Sequence, residues 1–134
     1  MSVYDQGVDV TLGLAYTDLS AKQYCAVKLT ANGVESAGTA GQSHGVLQNA
    51  PTAGQAAVVR VSGISKVKYG ASVTVGDKLI VEATTTQYIP LPTSGITDNA
   101  KYMVGVALVS GADLDIGMML VTPPLLSQSV VYAS

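Results

Sequence analysis

Apolar and polar positions alternate with a period of two along much of the chain. Val8, Val10, Leu12, Leu14 and Tyr16 fall on one side of an extended segment, with Asp9, Thr11, Gly13 and Ala15 on the other, the pattern of a half-buried strand. Residues 18–22 read as a short turn, and residues 23–31 resume as a strand with Cys25, Val27 and Leu29 on one face. Asn32-Gly33 predicts a two-residue hairpin turn, since both residue types tolerate positive φ. Residues 36–55 are rich in Gly, Ala, Ser and Thr around the apolar pair Val46-Leu47, predicting loop, short strand, loop.

From Gln55 to Glu82 the chain is Val-rich and broken by Gly63, Gly70 and Gly76, which are expected to supply chain reversals. Residues 83–99, with three consecutive threonines, Pro90 and Pro92, predict an exposed excursion. Two more strands, residues 101–110 and 114–122, are joined by Gly111-Ala112-Asp113, and Pro123-Pro124 ends the second. No stretch of twelve or more residues places apolar groups at i, i+3, i+4 and i+7, and no internal repeat is evident. The expected fold is mainly β: a single compact β-barrel or sandwich of short strands with an extended N-terminal arm and little helix. The chain divides into an arm or strand at 1–19, a β-rich body at 20–124 and a tail at 125–134.

Composition narrows the function classes. The 134 residues suit one domain with a core of its own. Charged residues are 12% of the chain, about half the usual share, and small polar residues replace them. So little charge gives weak protection against association, and a subunit of a larger assembly is expected. Cys25 is the only cysteine, so no internal disulfide can form. No secretory signal and no apolar run of membrane-spanning length are expected. The net charge of −2, with only Arg60, Lys66 and Lys68 close together, disfavours nucleic acid and membrane surfaces as partners.

Candidate chemistry is sparse. Nucleophilic catalysis would need His44, the one histidine, with Cys25 or Ser43, and no oxyanion or orienting motif surrounds it. One Cys and one His cannot build a zinc site, and Asp113-x-Asp115 lacks the remaining oxygen ligands of a calcium loop. No Gly is followed by Lys, so the phosphate-binding Walker A pattern is absent. The 7 tyrosines are scattered without interleaved arginine, and in a chain without Phe or Trp they read as packing groups. No catalytic residue, metal or cofactor is therefore assigned.

The run from Gly45 through Pro51, Gly54, Arg60 and Gly63 to Lys68, continuing as Ala71-Ser-Val-Thr-Val-Gly76-Asp77-Lys-Leu79, resembles the capsid cement or decoration proteins of tailed bacteriophages. The segment Val104-Gly105-Val106-Ala107-Leu108 and the strand ending in Val121 resemble that family's C-terminal hairpin, so the likeness covers residues 20–122. Members are sometimes labelled recombinase-like, a label the missing Walker lysine argues against. The resemblance implies a protein made in the host bacterial cytoplasm that binds the outer surface of the mature capsid. Its partners would be the major capsid protein and itself, as a homotrimer at threefold or quasi-threefold positions, and its job stabilising the shell. Val8, Val10, Leu12, Leu14 and Tyr16 are the candidate capsid-binding residues, if the N-terminal segment adds a strand to an exposed sheet edge. The alternative is that this segment belongs to the domain's own sheet. Competing functions are another virion component, such as a head-fibre base or tail protein, a small β-barrel enzyme using His44, or a sugar-binding module.

Overall fold

Val-rich runs without helical periodicity favour strands, and every regular element among the described residues is one. The computed structural model describes residues 7–37, 43–82, 85–91 and 102–126. Nine strands form one sheet: β1 Gly7–Leu14, β2 Ala26–Thr30, β3 Gly33–Ser36, β4 Gly45–Leu47, β5 Ala56–Lys68, β6 Lys78–Val81, β7 Tyr88–Pro90, β8 Tyr102–Ala107 and β9 Ile116–Leu126. Eight follow the order β3-β2-β4-β5-β9-β8-β6-β7, and β1 pairs with β5 off that path. All named pairings are antiparallel, and the sheet curls as a half-barrel.

Strand β5 organises the molecule. Its Val59 and Arg60 pair on both sides, with Val10 and Asp9 of β1 and with Leu47 and Val46 of β4. Gly63, expected as a chain reversal, lies instead inside this 13-residue strand. It has φ +96° and pairs with both Gly7 and Val121, so its left-handed backbone marks the change of partner from β1 to β9. Two buried clusters follow from this layout. Leu19, Val27, Val34, Leu47, Ala57 and Val59 pack beside β1, while Tyr69, Tyr88, Leu79, Met119 and Val121 centre the second.

Three further expectations are corrected. The β2–β3 turn is Ala31-Asn32, because Gly33 already pairs with Thr30. Gly33 is needed there for another reason: at φ +135° it lies against the Leu14 carbonyl, where a Cβ has no room. Pro123-Pro124 does not end β9. Between the pairs Gly105↔Val121 and Met103↔Leu125 the register shifts, so the two prolines sit in a bulge where no ladder N–H is required. The excursion expected at 83–99 contains β7, which pairs with β6. Its residues 83–84 and 92–99 lie outside the described residues, as do residues 1–6 of the N-terminal segment and 127–134 of the tail.

The backbone carries a repetition not evident in the sequence. Strands β2, β5, β6 and β9 are each entered through the same tight turn, in which the fourth N–H donates to the first carbonyl: Cys25 to Lys22, Gln55 to Thr52, Asp77 to Thr74 and Asp115 to Ala112, all at 3.0 Å. The third residue is left-handed, at 69° for Tyr24, 88° for Gly54, 92° for Gly76 and 74° for Leu114, as type II turns require. Its N–H crosses to another element, reaching the carbonyls of Leu47, Ala15, Ala107 and Tyr69 respectively.

Candidate interaction surface

The five apolar residues of the N-terminal segment do not form one row. Register shifts between Val8 and Asp9 and between Thr11 and Gly13 break the alternation, and directly paired residues share a face. Val10 lies opposite buried Val59, and Leu12 packs against the neighbouring core cluster. Val8 and Leu14 lie opposite Ser62 and Ala56, both exposed, on the other face. Val8, Val10, Leu14 and Tyr16 nonetheless remain 54%, 36%, 58% and 52% exposed. The segment is thus a strand of the domain's own sheet that presents apolar groups to solvent, where burial by a partner would be favourable by roughly 25 cal/mol per Å².

A cross-strand ion pair fixes it there. Arg60 Nε donates to Asp9 Oδ1 at 2.6 Å and Nη2 to Oδ2 at 2.9 Å, while Nη1 donates to the Ile64 carbonyl at 2.8 Å. The side chain of Arg60 is 6% exposed. The hydrogen bond from Arg60 holds the Asp9 carboxyl below its usual range, against an opposing push from burial. Arg60 therefore serves the fold and is not available to the basic cluster with Lys66 and Lys68.

The residues weighed for chemistry are occupied or sealed. His44 Nδ1 accepts the Leu29 N–H at 2.8 Å, and the His44 backbone N–H donates to the Val27 carbonyl, so it ties a loop to β2. Cys25 is 1% exposed, and burial pushes its thiol pKa up, which keeps it a weak nucleophile. Ser43 is also buried, donating to the Gly45 carbonyl at 3.3 Å. Burial pushes Tyr88 far above the usual phenol range, with the nearby Cys25 adding to it and the Ser43 hydroxyl opposing it, and its buried hydroxyl makes no hydrogen bond of good geometry among the described residues. Asp115 folds back on its own turn, Oδ2 accepting the Ala112 N–H at 2.9 Å. Among the described residues, no three His, Cys, Asp or Glu side chains gather as a metal site, and no helix is long and apolar enough to cross a membrane.

Sequence reasoning missed a second apolar surface. Leu120 pairs with Ile64 and Val106, and Val106 with Lys78, so these four lie in a row across β5, β9, β8 and β6 on one face. Leu120 is 43% exposed, Ile116 51%, and the turn residues Val75 and Leu114 are 58% and 61% exposed. The signal was available: Ile116, Met118 and Leu120 alternate with Gly117, Met119 and Val121, so β9 is apolar on both faces, and only one of them can face the core.

Fold and surface together define a class: an all-β antiparallel half-barrel carrying apolar side chains on β1 and around the β8–β9 connection. Comparison with protein-family models and with curated proteins finds no match. Among solved structures, the chain is similar to the N base of the head fibre protein gp8.5 of bacteriophage phi29. The TM-score is 0.60 at 16% identity, over 90% of this chain and 98% of that one. At that identity the likeness is one of fold.

Proposed function

We propose that the chain is a non-enzymatic structural protein of a bacteriophage particle that attaches to the outer surface of the head. The observation that carries this reading is the fold likeness to a head fibre base over 90% of the chain. Its partner is the major capsid protein, and it associates with itself as a homotrimer at threefold or quasi-threefold positions. There it acts as a cement or as the base of a projecting structure, two roles that share the same attachment.

The physical mechanism needs no reaction. Exposed Val8, Val10 and Leu14 on β1 and Tyr16 just beyond it, with the apolar groups of β9, give area to bury against a neighbour. Each contact is modest, but a copy gripping several subunits raises the effective concentration of every further contact. A protein that binds the expanded shell better than a ruptured one shifts the balance toward the intact shell. The test is to mix the purified protein with mature shells that lack it, sediment them, and heat them with and without saturation. Stoichiometric co-sedimentation is expected; a raised rupture temperature marks the cement role, and an unchanged one the role of a base. No binding at any expansion state overturns the reading.

A further inference from the structure

Three non-glycine residues among those described have left-handed backbone: Tyr24, Thr86 and Leu114. Thr86 is buried and Tyr24 half-buried, whereas Leu114 is 61% exposed. A bulky L-residue is strained in this conformation. The same third position of the turns at Thr52–Gln55 and Thr74–Asp77 is filled by Gly54 and Gly76. The turn at Ala112–Asp115 has the same hydrogen bonds, and its fourth side chain caps the first N–H as in the other two. Glycine would therefore satisfy this backbone with less strain, yet the chain places there a leucine that the fold leaves in solvent.

We propose that Leu114 is a docking knob that enters an apolar socket on the capsid partner; this rests on the virion reading above. The turn at Thr74–Asp77 lies beside it, joined by the reciprocal hydrogen bonds of Val73 and Gly111, and presents exposed Val75. The charge of the two turns selects the occupant. Residues 74–78 and 111–116 hold Asp77, Asp113 and Asp115 against Lys78, one positive charge minus three negative ones, a net −2. Two copies meeting tip to tip would oppose those carboxylates, so the surface fits a different protein, with an apolar hollow rimmed by Lys or Arg.

The test uses the full chain and its Leu114→Gly, Leu114→Asn and Leu114→Met variants, measuring thermal unfolding, sedimentation velocity and binding to mature shells that lack the protein. Leu114→Gly relieves the strained backbone, so its unfolding midpoint should rise by a few degrees. Its affinity for shells should fall at least about tenfold, as should that of Leu114→Asn, while Leu114→Met stays within about threefold of wild type. Leu114→Gly binding as tightly as wild type, or melting at a lower temperature, overturns the proposal and leaves the virion reading standing. Loss of self-association together with shell binding reassigns Leu114 to a contact between copies and also overturns it. A wild-type chain that binds no shell overturns the virion reading and this occupant with it.

Discussion

Replacing Asp9 with alanine removes the carboxylate that holds a buried guanidinium and, with it, the clamp between β1 and β5. Two charge-assisted bonds go at once, at 2.6 and 2.9 Å. The side chains of Arg60 and Asp9 are 6% and 36% exposed, which places the pair between two regimes. Breaking a fully buried pair costs roughly 3–5 kcal/mol, and an exposed pair is worth roughly 0–1 kcal/mol. Water reaches the space left by Asp9 far more easily than it reaches Arg60, so the expected loss is about 2–3 kcal/mol. In a domain of this length that lowers the melting temperature by about 6–12 °C.

Urea titration followed by circular dichroism measures the loss. Adding Arg60→Met to Asp9→Ala removes the orphaned charge and fills its place with an apolar chain, so the double variant should regain at least about 1 kcal/mol. A loss below about 0.5 kcal/mol in Asp9→Ala, with no recovery in the double variant, refutes the reasoning. The pair also predicts a pH dependence. The folded-state pKa of Asp9 lies below its unfolded value, which is about 3.9. Its contribution is therefore complete well above the unfolded value and disappears as pH falls through that value toward the lower folded one. Asp9→Asn should flatten this part of the acid limb of the stability curve.

Two further predictions concern buried groups. The Tyr69 hydroxyl donates to the Val109 carbonyl at 2.7 Å, whereas that of Tyr88 is buried without a hydrogen bond of good geometry among the described residues. Tyr69→Phe should cost about 1 kcal/mol and Tyr88→Phe should be neutral or stabilising in the same titration; the opposite ranking counts against the assigned bonding. Cys25 should react with a thiol reagent at pH 8 only as fast as the protein opens, and within seconds in denaturant; rapid labelling of the folded protein would show that the thiol is not sealed.

Most strands were legible because they obey a period of two and are separated by Gly, Pro and Asp. Gly76 in a tight turn, β4 around Val46-Leu47 and the hairpin of β8 with β9 follow from those signals alone. Gly63 and Pro123-Pro124 were misread for a common reason. Both are breakers locally, but Gly63 keeps a regular pairing on each side where β5 passes from β1 to β9, and Pro123-Pro124 are absorbed by a bulge where β9 slips against β8. The N-terminal row failed in the same way: periodicity places Val8 to Tyr16 together, and two register shifts against β5 divide them. Leu114 was invisible as a special position because nothing in Ala-Asp-Leu-Asp announces a left-handed third residue. Comparison with Thr-Val-Gly-Asp at 74–77 finds it only once the hydrogen bonds are known. Arg60 looked like part of a basic cluster, since its partner Asp9 lies 51 residues away in sequence.

The central claim is tested most directly by locating the chain on particles. Particles produced from the genome that encodes it can be purified, analysed by mass spectrometry of their proteins, and labelled intact with gold-conjugated antibody against this chain. Stoichiometric amounts in the particle and gold on the outer face of the head are expected. Absence from purified particles, or label confined to the tail, contradicts the claim.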